Sequence, residues 1–210
     1  MLFLMASGLT LIFGIMDLIN LAHGSLFMVG AYLCATIFQK TGSFMLGLLV
    51  ALPGVAIVGI LVEVFALRTL YARDHLDQVL ATFGLILFFN ELTKIIWGPR
   101  ALFLDVPEAL SGTIEIIPGA PYPTFRLAVI VVGIMVAIFL YLLITRTRLG
   151  MLIRASATNR EIVGALGVNV KLLYTLVFGL GALLAGLAGA MAGPLFAVEV
   201  GMGEDILILT

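Results

Sequence analysis

Three stretches of this chain hold no Asp, Glu, Lys, Arg or His: Phe44–Val62 (19 residues), Leu127–Ile144 (18) and Leu172–Val198 (27). A fourth, Val79–Trp97, is apolar apart from Glu91 and Lys94. At 1.5 Å of rise per residue, about 20 apolar residues cross the hydrocarbon core of a bilayer, so each stretch is long enough to span one. A single such stretch can be the core helix of a soluble domain. Four in 210 residues leave too little polar sequence to cover them, because only 11% of the chain is charged where soluble domains carry about 25%. Lipid offers no partner to free backbone groups, so the expected fold is an all-α, polytopic transmembrane helical bundle.

Polar residues break the chain at Asp17–Gly24, Gln39–Ser43, Arg68–Asp77, Gly98–Phe125 and Thr145–Lys171. Spans are therefore expected at about 1–16, 24–38, 44–67, 78–97, 126–145 and 172–198 of one domain. Lys and Arg set the orientation, since they collect on the cytoplasmic side. The 145–171 loop holds Arg146, Arg148, Arg154, Arg160 and Lys171, and the 68–77 loop holds Arg68 and Arg73. The proline-containing 98–125 segment holds Arg100 against Asp105, Glu108 and Glu115. The first two loops are expected in the cytoplasm and the 98–125 segment outside.

The two N-terminal runs are short for full spans, and the polar Asp17–Gly24 joins them. This predicts a hairpin or a broken helix pair, tolerated only where the opened backbone is buried or lines a cavity. Asp17, Asn20, His23 and Gly24 are accordingly candidate pathway residues, because ionisable groups inside a membrane usually face a cavity or a partner. A polar break closed by internal hydrogen bonds is the alternative. The helix opening at Gly24–Ser25 presents amide groups suited to an anion such as a carboxylate. Thr82, Gly84 and Asn90 are further pathway candidates, although Asn90 can equally bond a neighbouring helix. Glu91 and Lys94, three residues apart, are expected to pair. Gly189 and Gly193, with the row Ala182, Gly186 and Ala190, predict a helix that packs closely on its neighbours.

The sequence contains no G-x-x-x-x-G-K-[ST] phosphate loop, no H-E-x-x-H and no G-x-S-x-G. Cys34 stands alone, so neither a disulfide framework nor a metal site is indicated. A net charge of −1 gives nothing to attract nucleic acid. Catalysis by this chain alone is not expected; transport, anchoring or sensing remain. In the 145–171 loop, Thr158-Asn159-Arg160-Glu161 has the capping-box form, with Thr158 as N-cap and Glu161 reaching back. Ile162, Val163 and Leu166 form an apolar stripe, and Gly167 is placed to stop the helix. A helix of about two turns, flanked by Arg154 and Arg160, would be marginal alone and is expected to dock on a partner or on the lipid surface.

Three stretches carry a family resemblance: GLTLIFGIMDLINLAHGSLFMVGAY (8–32), DHLDQVLATFGLILFFNE (74–91) and RTRLGMLIRASATNREIVGALGVN (146–169). Together they resemble the LivH-type membrane permeases of bacterial branched-chain amino-acid ABC importers. The resemblance implies a multi-pass subunit of the inner membrane that works with a second permease, two ATPase subunits and an extracytoplasmic amino-acid-binding protein. ATP and Mg would belong to the ATPase, with no cofactor in this chain. It also implies that Arg154–Gly167 is the coupling helix seated in an ATPase groove. Family members are longer at both ends, so the chain is expected to be a fragment. A sugar or nucleoside permease of the same superfamily, an ion-coupled secondary carrier and an inert membrane fragment remain open alternatives.

Overall fold

The computed structural model describes residues 1–71, 73–117 and 120–210. They form α1 (Leu2–Met16), α2 (His23–Thr41), α3 (Phe44–Phe65), α4 (His75–Trp97), β1 (Thr113–Ile117), β2 (Ala120–Pro123), α5 (Thr124–Arg146), α6 (Arg148–Thr158), α7 (Arg160–Ala165), α8 (Val170–Ala192) and α9 (Met202–Ile208). Among the described residues the fold is all-α apart from an antiparallel hairpin, in which Ile114 faces Tyr122, and an isolated bridge between Leu102 and Val198. By length and composition α3, α4, α5 and α8 can each cross a membrane.

Helix α2 forms the centre. Residues His23–Tyr32 are buried without interruption, as expected of a helix that is apolar on all sides and enclosed by others. Helix α8 crosses it and also packs on α1 and α3. Small residues make that crossing possible. A Cβ on Gly30 would lie 2.5 Å from the Gly186 Cα, and one on Gly59 would lie 2.5 Å from the Ala182 Cβ. Without side chains at the contact, backbones approach closely and gain dispersion contacts, which drive helix association in lipid.

The outer helices are different. In the most apolar stretch of α8, 67% of residues are buried, against 11% in α5. Helix α4 turns Leu80, Phe83, Leu87 and Phe88 outward, and α5 exposes Ile130, Ile134, Ile138 and Phe139. Apolar faces of this extent are foreign to a soluble monomer and suit hydrocarbon.

Several segments depart from the sequence expectation. The 145–171 loop is mostly helical, with α6 preceding the foreseen helix. The short helix is capped by Asn159, whose Oδ1 accepts from the Glu161 and Ile162 amides at 3.1 and 3.0 Å. Thr158 instead ends α6, and its hydroxyl donates to the Arg154 carbonyl. The 98–125 segment carries the hairpin and a 3-10 turn at Glu108–Leu110. The helix beginning at Val170 stops at Ala192 rather than near 198, and the chain returns to form α9. Ala72, Pro118 and Gly119, in the two loops, lie outside the described residues.

Candidate functional site

The break between α1 and α2 carries Asn20 and His23 into the interior of the bundle. Asp17 closes α1 in the left-handed conformation (φ 49°), its amide donating to the Phe13 carbonyl. Its side chain is exposed. Asp tolerates this conformation better than most residues, and the turn ends the helix without glycine. The next residues climb to His23, which starts α2. Ile19 donates its amide to Gln78 Oε1 at 3.3 Å, while Gln78 Nε2 donates to the Leu70 and Arg73 carbonyls at 3.3 and 3.2 Å. One buried amide side chain thus ties the break to the segment joining α3 and α4.

His23 is fully buried. A Cβ on Gly8 would touch its Nε2 at 3.0 Å and the Gly181 carbonyl oxygen at 2.9 Å, so the ring sits where α1 meets α8. Gly181 is at the midpoint of Val170–Ala192. The start of α2 is therefore beside the midpoint of α8, a helix long and apolar enough to span a membrane. Among the described residues neither nitrogen of His23 and neither polar atom of the Asn20 side chain has a hydrogen-bond partner. Leaving a buried polar group unsatisfied costs about 1–3 kcal/mol, so these positions carry a cost that packing alone does not explain.

The helix end expected to attract an anion is covered. A Cβ on Gly24 would lie 2.2 Å from the Gly203 carbonyl oxygen, so α9 seals the start of α2. Helix α9 also brings Glu204 to Asn90, whose Nδ2 donates to Glu204 Oε1 at 2.5 Å. Thr82 is buried, with its hydroxyl bonded to the Gln78 carbonyl at 2.8 Å. Gly84 points the other way, onto the exposed side of α4, with open space where a Cβ would be. The structure brings together Asn20, His23 and Gly24, joins Asn90 to α9, and leaves Gly84 apart. Glu91 and Lys94 pair on the exposed face at 2.7 Å.

The 146–171 region stands at the opposite end of α5 from the hairpin, about 34 Å away at 1.5 Å per residue over its 23 residues. Thr147 caps α6 through the Gly150 amide at 3.0 Å, and the Arg154 guanidinium donates to the Ile144 carbonyl. In α7 the expected stripe divides. Ile162 is exposed and Leu166, at its C-cap, is 78% exposed, whereas Val163 is buried. Gly167 follows with φ 87°, the left-handed stop that glycine provides at little cost. A polar recess of about 310 Å³ lies between these helices and the break, lined by Asp17, Ser156, Asn159, Arg160, Glu161 and Tyr174 among others.

Sequence reasoning passed over Glu63, which is fully buried near the end of α3. Arg68 donates to both its carboxylate oxygens at 3.3 and 3.2 Å, Thr175 at 2.7 Å and Tyr71 at 2.5 Å. Burial, and then the bond to Glu63, push the Tyr71 phenol well above its ordinary pKa. The cluster locks α3, the 67–71 segment and α8 together at the end of the bundle that carries α7. Charge repeated within about five residues (Glu63, Arg68) was the available signal; Thr175 and Tyr71 gave none.

Helices long and apolar enough to span, lipid-suited outer faces and a polar break enclosed in the bundle define a polytopic helical membrane protein. A family profile described as "Branched-chain amino acid transport system / permease component" matches residues 1–208, and the chain belongs to that family. It is similar to the high-affinity branched-chain amino acid transport system permease protein BraD of Pseudomonas aeruginosa, with 28% identity over 93% of this chain and 67% of that protein. The corresponding LivH protein of Escherichia coli is 27% identical over the same shares. A probable branched-chain amino acid transport permease protein LivH of Methanocaldococcus jannaschii is 29% identical over 99% of this chain and 67% of its own length. The chain thus spans about two thirds of each relative. No solved structure matches it.

Proposed function

We propose that this chain is the membrane-spanning translocation subunit of an ATP-driven importer of branched-chain amino acids in the bacterial inner membrane. One observation carries the ATP-driven reading: a membrane bundle with no phosphate loop of its own presents a capped helix with exposed Ile162 and Leu166 at its arginine-rich end. An ion-coupled carrier has no use for such an element. Arg154–Gly167 would seat in a groove of a separate ATPase subunit, Arg160 pairing with an acid there and the Asn159 cap and buried Val163 holding α7 in shape. Two ATPase subunits would carry the ATP and Mg, and a second permease and an extracytoplasmic amino-acid-binding protein would complete the assembly.

Closure of the ATPase pair would move α6 and α7. A polar recess lined by Asp17 and Arg160 lies between those helices and the break, and Asn20, His23 and Gly24 would shape the pathway that their motion opens. Thr82 and Asn90 support this region from α4, and Gly84 would face a neighbouring subunit or lipid. The preference for branched-chain amino acids rests on the family and on the printed names of the relatives. Reconstitution tests the reading. Proteoliposomes holding the assembled complex should take up leucine when ATP is on the ATPase side, with no proton or sodium gradient. Uptake driven by an ion gradient and indifferent to ATP would replace this reading with the secondary carrier.

A further inference from the structure

A groove of about 460 Å³ opens between α1, the break and α9, within the roughly 300–1,000 Å³ of small-molecule sites. Leu9 and Phe13 of α1, Leu18 and Leu21 of the break and Leu207 of α9 give it apolar walls, and Thr10 and Asn20 are the polar residues of its lining. Asn20 is only 2% exposed, and its side-chain oxygen and nitrogen both lack partners among the described residues. Buried polar groups are nearly always hydrogen-bonded, and an orphan calls for a reason such as a missing ligand. The larger groove beside α5 and α6 offers no comparable demand, since its Ser7 and Arg154 already bond the Leu4 and Ile144 carbonyls.

We propose that this groove is a transit subsite for an aliphatic amino acid, its branched side chain against Leu18, Leu21 and Leu207 and its polar end on the Asn20 amide. An amide suits a zwitterion because it offers a donor to the carboxylate and an acceptor to the ammonium. Apolar walls discriminate weakly, by about 10- to 200-fold per methylene, which fits a passage site that must also release its cargo. Helix α9 supplies one wall and also covers the start of α2 through Gly203, so its displacement would open the groove towards the centre of the bundle.

The subsite rests on the importer reading, and the test separates the two. Initial ATP-driven uptake of leucine, isoleucine and valine is measured in the reconstituted complex for wild type, Leu207→Trp, Leu21→Ala and Asn20→Leu, with the yield of assembled complex as the control for folding. Leu207→Trp narrows the groove and should lower leucine uptake about tenfold more than valine uptake. Leu21→Ala should shift the leucine-to-valine ratio the opposite way. Asn20→Leu keeps the branched outline of the side chain, removes the amide and should slow all three about tenfold. An unchanged ratio in the assembled Leu207 and Leu21 variants, with leucine still imported by wild type, overturns the subsite and spares the importer. Failure of wild type to import any of the three overturns both.

Discussion

Glu63 ends the uncharged run of α3, and no side chain around it is expendable. A buried carboxylate is costly unless every charge is paired and its oxygens are hydrogen-bonded, and Arg68, Tyr71 and Thr175 meet that need. Glu63→Ala strands the Arg68 guanidinium and should destabilise the detergent-solubilised protein by about 3–5 kcal/mol. Tyr71→Phe removes one bond to a charged group and should cost about 1.5–3 kcal/mol. Thermal unfolding checks both. The pH dependence follows from the raised phenol pKa of Tyr71. A raised folded-state pKa gives stability fully present below the unfolded value, about 10 for tyrosine, and lost only as pH climbs beyond it. The Tyr71→Phe deficit should therefore be constant from pH 6 to 9 and shrink in stronger alkali. At this scale the polar break was legible, since Asn20 and His23 interrupt apolar sequence. Gln78 was not, because its importance lies in carbonyls and an amide brought to it from Ile19, Leu70 and Arg73.

Elements were easiest to read where length and apolarity suffice. Helices α3, α4 and α5 cover the apolar runs and extend them by two to four residues, because in lipid such a run has no other way to satisfy its backbone. Helix α6 was missed because its arginines and threonines read as loop, yet it is amphipathic and buries Ile153. Helix α9 was missed because seven residues carry little periodic signal. The cap of α7 was misread by one position, since Thr158 and Asn159 are both good N-caps. The backbone decides between them: Thr158 is helical and bonds back to Arg154, while Asn159 is extended, with φ −157°. Asn159→Ala should consequently weaken α7 by about 1 kcal/mol and reduce co-purification of the ATPase, and Thr158→Ala should leave it intact. Leu166→Asp, at an exposed apolar position, should release the ATPase without lowering the amount of permease in the membrane. Retention of the ATPase by the Leu166 variant would remove α7 from the docking surface.

At the scale of the whole molecule, charge and hydropathy lead to the expectation that the arginine-rich loop and the 98–125 segment face opposite sides of the membrane, and the two lie at opposite ends of α5. They could not foretell that α2 begins beside the middle of α8, because that level is fixed by the meeting of Gly8, His23 and Gly181. Nor could they foretell that α9 returns to meet it, since the partner of Gly24 is Gly203, far along the chain. ATP-driven import through this chain requires one orientation: α6 and α7, the proposed ATPase contact, must be cytoplasmic and the hairpin extracytoplasmic. Single cysteines placed in a Cys34→Ala background at the exposed positions Ala155 and Ser111 test this with a membrane-impermeant thiol reagent. In intact cells Ser111→Cys should react and Ala155→Cys should not. Ala155→Cys should react only in opened membranes stripped of peripheral proteins. Labelling of Ala155→Cys from outside, with Ser111→Cys protected, would contradict the orientation and with it the ATP-driven mechanism.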